Sequence, residues 1–444
     1  IMSEISSLFS YVKLIFFFFI LFFCGITFSS ELSNYSGPGD NKDGYNSKDY
    51  ETNSLSLSDR KGKSADLIKF VTMKQLGLPK LDIPKDNPIT REKIELGKKL
   101  FFDRRLSLNN TMSCGMCHVP EQGFTSNEIK TAVGIEGRSN LRNTPTLLNV
   151  AYNKFLFHDA REYSLENQVW QPILAHSEMA MPSFGFTIKK LELISGYKEL
   201  FEKAFPGEGI NMITFGKAIA SYERSLISGN SAFDKWYFGG DQNAVDENVK
   251  EGFKVFVGKG NCVSCHTIGQ NEALFIDDKL HNTGVGYAES MGLLSSKKTL
   301  VQLAPGEYVE VENEIIESVN QQKRRNDLGL YTITENPSHR WLFRTPSLRN
   351  ISLTAPYMHN GIFSNLDEVI EFYNQGGVKN ELLSPMIKEL NLSKREKINL
   401  RLFLESLVGE NINILIADAL AAPVGDLTED DPNWANKKDM GYNK

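Results

Sequence analysis

Hydrophobic and polar positions divide this chain into blocks before any residue chemistry is considered. Lys13 precedes an almost uninterrupted apolar run, Leu14 to Phe28, that ends in Ser29 and Ser30. A basic flank, an apolar run of about fifteen residues and a small polar end are the parts of an export signal, assigned to residues 1–30. The run falls short of the roughly 18–20 residues that cross a bilayer comfortably, which favours cleavage. No Ala-x-Ala precedes the break, so retention as an N-terminal anchor is the alternative. From Glu31 to about Ala65, Ser, Asn, Asp, Gly and Tyr dominate without apolar periodicity. Such a segment cannot bury enough surface to offset its ordering entropy, and residues 31–66 are read as a flexible tether.

Further on the pattern takes a helical period. Ile94, Leu100 and Phe101 share a stripe over Arg91–Phe101, with Thr90 placed to cap it. Phe215, Ala218, Ile219, Tyr222 and Leu226 recur at the same spacing and stop near Gly229, and a third helix is predicted over Glu247–Phe256. These stripes read as plain core. Gly239, Gly240, Asp241 and Asn243 mark a break near residues 240–246. Ala288–Arg325 turns polar and charged, with β-formers such as Val309 and Val311, and reads as a surface excursion. After Gly409 an apolar stretch runs to Ala422, followed by an acidic, Asn-rich end; neither has a functional reading.

A length of 444 residues suits two domains, each with its own core. Hydrophobic content of 41% and charged content of 23% are ordinary, and a net charge of -6 gives no reason to expect nucleic acid. The cysteines change the picture. Cys24 lies in the signal, and the other four form Cys114-Gly-Met-Cys117-His118 and Cys262-Val-Ser-Cys265-His266. Disulfides or a zinc site would use the cysteines but leave the following histidines unexplained. In C-x-x-C-H the thiols add to the haem vinyl groups and the adjacent His is carried under the iron, so two covalent haems c are expected. The motifs lie about 150 residues apart, one per domain. The predicted fold is therefore mainly α, with two cytochrome c-type haem domains packed against each other. An N-terminal haem c domain is assigned to 67–245, a C-terminal haem c domain to 246–410, and a tail to 411–444.

The supply of sixth ligands separates an electron carrier, with both irons fully ligated, from an enzyme that leaves one face open. After the first motif the next histidine is His158, and Glu121–Arg142 contains no His, Met or Tyr, which favours an open first haem. After the second motif His281, Met291, Met358, His359 and Tyr373 are all candidates.

The stretches LGKKLFFDRRLS, SCGMCHVPEQGFT, RNTPTLLNVAYN, CVSCHTIG, HNTGVG, RTPSLRN and APYMHNG resemble, in order, the bacterial di-haem cytochrome c peroxidases and MauG proteins over Ile94 to Gly377. That resemblance implies an enzyme, a haem peroxidase. It implies a distal pocket of Gln168, Pro172 and Glu178, with Glu178 as general acid-base and Gln168 orienting the peroxide. Gly134 stands near the position of the histidine that caps the first haem at rest in the peroxidases, so that haem is expected to stay accessible, as in MauG. The second distal ligand falls on Tyr373, where the peroxidases carry Met and MauG carries Tyr; Met358 is the alternative. A phenolate stabilises ferric iron better than a thioether and lowers the potential. A calcium ion between the haems is implied, with the Asn149 side chain and the backbone carbonyls of Thr354 and Pro356 as ligands. His158 replaces the family's inter-haem tryptophan, and Gly260 stands where MauG has a surface Trp, so tryptophan tryptophylquinone maturation does not carry over. The expected partners are hydrogen peroxide and either an electron-donor protein such as a small cytochrome or an oxidisable protein substrate, with a homodimer as candidate assembly and the periplasm as location. The rival functions are a MauG-like enzyme that modifies a partner protein and a non-catalytic di-haem electron carrier.

Overall fold

Each C-x-x-C-H motif is preceded by a helix that crosses a later helix at a glycine. In the computed structural model, which describes residues 62–422 except 128, 195, 294–297, 305–306, 313–314 and 316–325, helix α1 spans Arg91–Phe102 and the first cysteine pair occupies the single turn α2, Cys114–Cys117. The short helices α3, Leu165–Gln168, and α4, Trp170–Leu174, follow, and then α5, Met212–Ser225. Thr90 caps α1 by accepting from the Lys93 amide at 3.3 Å, and Asn211 and Thr214 close a capping box on α5. A Cβ at Gly97 would stand 2.0 Å from the Ala218 carbonyl oxygen, so α1 and α5 approach as closely as they do only because no side chain intervenes.

The second half repeats the device. Helix α6 is Ala232–Tyr237, α7 is Glu247–Val257, α8 is Leu366–Asn374 and α9 is Lys394–Glu405. A Cβ at Gly252 of α7 would lie 1.9 Å from the Asn399 carbonyl oxygen of α9. Strands are minor: β1, Leu280–His281, pairs with β4, Phe343–Arg344, and the excursion contains an antiparallel hairpin, β2 Lys298–Ala304 with β3 Glu307–Glu312.

Two buried clusters result. The first gathers Leu100, Phe101, Trp170, Phe215 and Tyr222; the second gathers Phe233, Phe256, Phe275, Leu400 and Phe403. The segment after Gly409, read from sequence as the start of a tail, forms helix α10, Ile412–Leu420, and sends Ile412, Leu415 and Ala419 into the first cluster. Asp418 anchors it, accepting from Lys98 Nζ at 2.9 Å and from the Ala65 amide at 2.8 Å, while the Lys63 amide bonds the Ala417 carbonyl. The last residues assigned to the tether, 62–66, are thus tied to α10. Residues 1–61 and 423–444, which hold the signal, most of the tether and the acidic end, lie outside the described residues. Among the described residues no helix is long and apolar enough to cross a membrane.

The seam between the halves is polar and paired. Arg349 and Asp234 of the second half, both essentially without solvent contact, form a two-pronged pair at 2.9 Å and 2.9 Å, and Arg349 reaches across the seam to the Gly77 carbonyl besides donating to that of Ala273. Arg142 bridges Asp159 of the first half and Asp327 of the second.

Candidate haem sites

Both motif histidines are held in one way. His118 Nδ1 lies 3.1 Å from the Phe124 carbonyl oxygen, and His266 Nδ1 lies 2.8 Å from that of Phe275. A carbonyl can only accept, so each Nδ1 carries the proton and each Nε2 keeps its lone pair for a metal. Burial pushes His118 down to about 4 and lowers His266, which keeps both rings neutral, as iron ligation requires. The Pro145 carbonyl supports the first ring and the Pro346 carbonyl the second.

These prolines belong to a repeat that motif reading did not exploit, Thr144-Pro145-Thr146-Leu147-Leu148-Asn149 against Thr345-Pro346-Ser347-Leu348-Arg349-Asn350. Both repeats end in an Asn of left-handed conformation, φ 60° at Asn149 and at Asn350, that starts a short 3-10 turn. The signal was the internal repetition itself. With paired cysteines beside each ring, both sites fit a c-type haem.

The distal residues expected at the first site come from one piece of chain. Gln168 ends α3, Pro172 lies in α4, and the chain then folds on itself through bonds from the Met179 amide to the Pro172 carbonyl and from the Glu178 and Ala180 amides to the Ala175 carbonyl. This turn presents Glu178. Burial raises its carboxyl pKa, with Arg161 acting in the opposite direction, and its charge is felt at both Cys114 and Cys117. Gly134 closes the arrangement from the other side: a Cβ there would lie 2.1 Å from the Ser177 carbonyl oxygen and 2.7 Å from Glu178 Cα, and the Ile135 amide donates to the Glu178 carbonyl at 2.9 Å. No side chain fits at residue 134 in this arrangement.

A second carboxyl, Glu223 of α5, was not singled out from sequence. Burial raises it to about 8, and its Oε2 has no hydrogen-bond partner among the described residues. Its charge reaches Cys114. The helical stripe around it concealed it, since an acid between core positions reads as a solvated residue.

At the second site Tyr373 projects from α8. Burial, then the charges of Cys265 and Cys262, push its phenol well up, which places it beside the second cysteine pair. Met358 lies on the loop before α8 with φ 72°. Cys265, Asp277 and His281 form the one compact His/Cys/carboxylate group among the described residues, His281 Nε2 donating to Asp277 at 2.7 Å.

His158 sits on the seam. Its Nε2 donates to the Asn143 carbonyl at 2.9 Å, its own carbonyl accepts from the Arg344 amide at 2.8 Å, and burial with Arg344 and Arg142 nearby pushes its pKa down to about 3. It is a neutral, fixed ring. Asn143, which sequence reasoning passed over, joins it to the far side, since its amide N–H donates to the His359 carbonyl at 2.7 Å.

The Asn149 side chain closes on one backbone residue, Oδ1 accepting from the Ser228 amide at 2.8 Å and Nδ2 donating to the Ser228 carbonyl at 2.8 Å. Oδ1 keeps a second lone pair beside that contact. Thr354 Oγ1 donates to the Ile351 carbonyl at 3.1 Å, and the peptide bond between Ala355 and Pro356 is cis.

Two C-x-x-C-H sites, each with a supported histidine, in one helical chain define a di-haem c-type cytochrome. The chain belongs to the di-haem cytochrome c peroxidase and MauG family, whose model matches residues 91–243 under the description "Di-haem cytochrome c peroxidase". It is 37% identical over 333 residues to cytochrome-c peroxidase IdrP1 of Pseudomonas sp. (strain SCT), covering 74% of this chain and 84% of that protein. It is 35% identical over 332 residues to the methylamine utilization protein MauG of Methylorubrum extorquens, covering 74% and 81%. Among solved structures, a MauG-like protein associated with microbial copper homeostasis superposes with a TM-score of 0.62 at 28% identity, over 77% of this chain and 97% of that one. The di-haem peroxidase BthA of Burkholderia thailandensis shares the fold, with a TM-score of 0.59 at 22% identity over 73% and 88%.

Proposed function

We propose that this protein is an exported peroxidase that reduces hydrogen peroxide at the iron carried by His118, drawing electrons through the haem carried by His266 and Tyr373. The observation that carries this reading is the packing of Gly134 against Ser177 and Glu178, which sets a buried carboxyl beside the first cysteine pair where no capping side chain fits. When bound, the haems supply the redox chemistry and the binding of peroxide to iron. Glu178 holds and moves the proton from the inner to the outer peroxide oxygen, and its raised pKa suits it to both accept and release that proton. Gln168 orients the peroxide by hydrogen bonding. Peroxide takes up two electrons and two protons and leaves as two waters. His118 and His266 hold their irons with rings fixed by the Phe124 and Phe275 carbonyls.

A second reading, oxidation of a partner protein in the manner of MauG, is favoured by Tyr373 beside Cys262 and Cys265. Gly260, in place of a surface Trp, weighs against the same exit route. Location in the periplasm rests on the Leu14–Phe28 run and is tested by fractionation with N-terminal sequencing of the mature protein.

The deciding experiment is the visible and EPR spectrum of the ferric di-haem protein before and after stoichiometric peroxide. One high-spin and one low-spin haem with a rapid spectral change supports the proposal. Two low-spin haems indifferent to peroxide leave an electron carrier.

A further inference from the structure

Behind the second cysteine pair the rings form a continuous path that the reading above does not use. Phe275, whose carbonyl fixes the His266 ring, has its own ring 5.6 Å from Phe233. Phe233 in turn stacks on Tyr237 of α6 at 5.2 Å with planes 14° apart. Trp236 contacts Phe233 at 6.1 Å and Phe253 at 5.5 Å, and Phe253 meets both Phe233 and Tyr237. At the outer end Tyr237 is 43% exposed, and half-buried Trp236 donates from Nε1 to Gln242 at 3.3 Å. Adjacent Trp and Tyr rings, 5.9 Å apart, therefore reach solvent on one side and the support of an iron-ligand histidine on the other.

Burial explains Phe233 and Phe275, which are fully enclosed. It does not explain why the surface end of the stack is made of the two side chains that lose an electron most readily. Electron transfer through packed protein falls steeply with distance, so an oxidisable ring between solvent and haem divides one long transfer into two short ones. The first half reaches no such end, because Phe101 and Tyr222 beside His118 are buried.

We propose that Trp236 and Tyr237 form the electron port of the second haem, at which an external one-electron donor delivers electrons across α6. In each transfer one of these rings gives an electron to the oxidised haem, Tyr237 also giving its phenolic proton to water. It then regains an electron from the donor, with the proton returned from water. Two such transfers match the two electrons that peroxide accepts. This inference rests on the peroxidase reading.

The test uses the di-haem protein with stoichiometric peroxide and no donor, read by freeze-quench EPR and by peptide mass spectrometry. A Trp or Tyr radical and oxygen addition on the Trp236–Tyr237 peptide are expected, both lost in the W236F/Y237F double variant. With a small reduced cytochrome present, that variant should oxidise it about tenfold more slowly while the initial spectral change with peroxide keeps its rate. The single variants W236F and Y237F, conservative at the surface, separate the two rings. Oxidation concentrated instead at Tyr287 and Trp341, another Tyr–Trp pair with ring centroids 5.2 Å apart, or none at Trp236 and Tyr237 while the haem spectrum still responds, overturns the port alone. A haem spectrum that ignores peroxide overturns the peroxidase reading and the port with it.

Discussion

At the scale of single residues, two buried acids beside the first cysteine pair have different duties. Glu178, the proposed proton carrier, is presented by a folded turn, whereas Glu223 lies inside α5 with one oxygen unpartnered among the described residues. Glu178→Gln should lower kcat for peroxide by about 10²–10⁴-fold in steady-state assays, the range that general acid–base groups supply. Because burial raises the Glu178 pKa, the acid limb of the wild-type pH profile should lie above the ordinary carboxylate range, activity falling as pH drops through it. Glu178→Gln should lack that limb. Glu223 is raised in the folded protein to about 8 from an ordinary 4.5, so the folded state binds the extra proton between those values. The stability this contributes is complete below about pH 4.5 and is lost as pH rises through about 8. Thermal melts should show Glu223→Gln gaining on the wild type by a few °C toward pH 9, with little difference at pH 5.

At the scale of elements, α10 is a part of the first core supplied from the far end of the chain. A variant ending after Glu410 should lose roughly 3 kcal/mol or more of stability, since several buried apolar side chains and the Lys98–Asp418 pair go with it. Hydrogen exchange should show protection lost in α1 and α5 and kept in α7 and α9. The helices themselves were legible from sequence. The expected Arg91–Phe101 and Glu247–Phe256 appear as Arg91–Phe102 and Glu247–Val257, because caps and apolar period are local properties. The partner of α10 was not legible, since an apolar stretch announces burial without saying against what. The partner of the Asn149 side chain, Ser228, was not legible either, because it is set by the tertiary fold. The repeated Thr-Pro segments lay open in the sequence, yet their part in supporting the two rings emerged only with the His118 and His266 contacts.

At the scale of the whole molecule, the halves are joined by desolvated charges rather than by apolar surface alone. Arg349 touches Asp234, Ala273 and Gly77, and so ties α6, the segment before α1 and the loop after the second motif to one guanidinium. Arg349→Met leaves Asp234 buried without a counter-charge and should cost about 3–5 kcal/mol in denaturant unfolding. Asp234→Asn in the same background should recover part of that loss, because the stranded charge is removed.

The return of α10 to the first core also sets a timetable for cofactor loading. Were the fold to close before haem is attached, burial would push the Cys117 thiol up to about 12 and Cys114 higher still, and neither sulfur would react readily. During synthesis, however, Cys114 and Cys117 emerge long before the helix that completes their domain. Because α10 follows both cysteines in the chain and completes the core around them, attachment of haem at Cys114 and Cys117 is expected to precede the docking of α10.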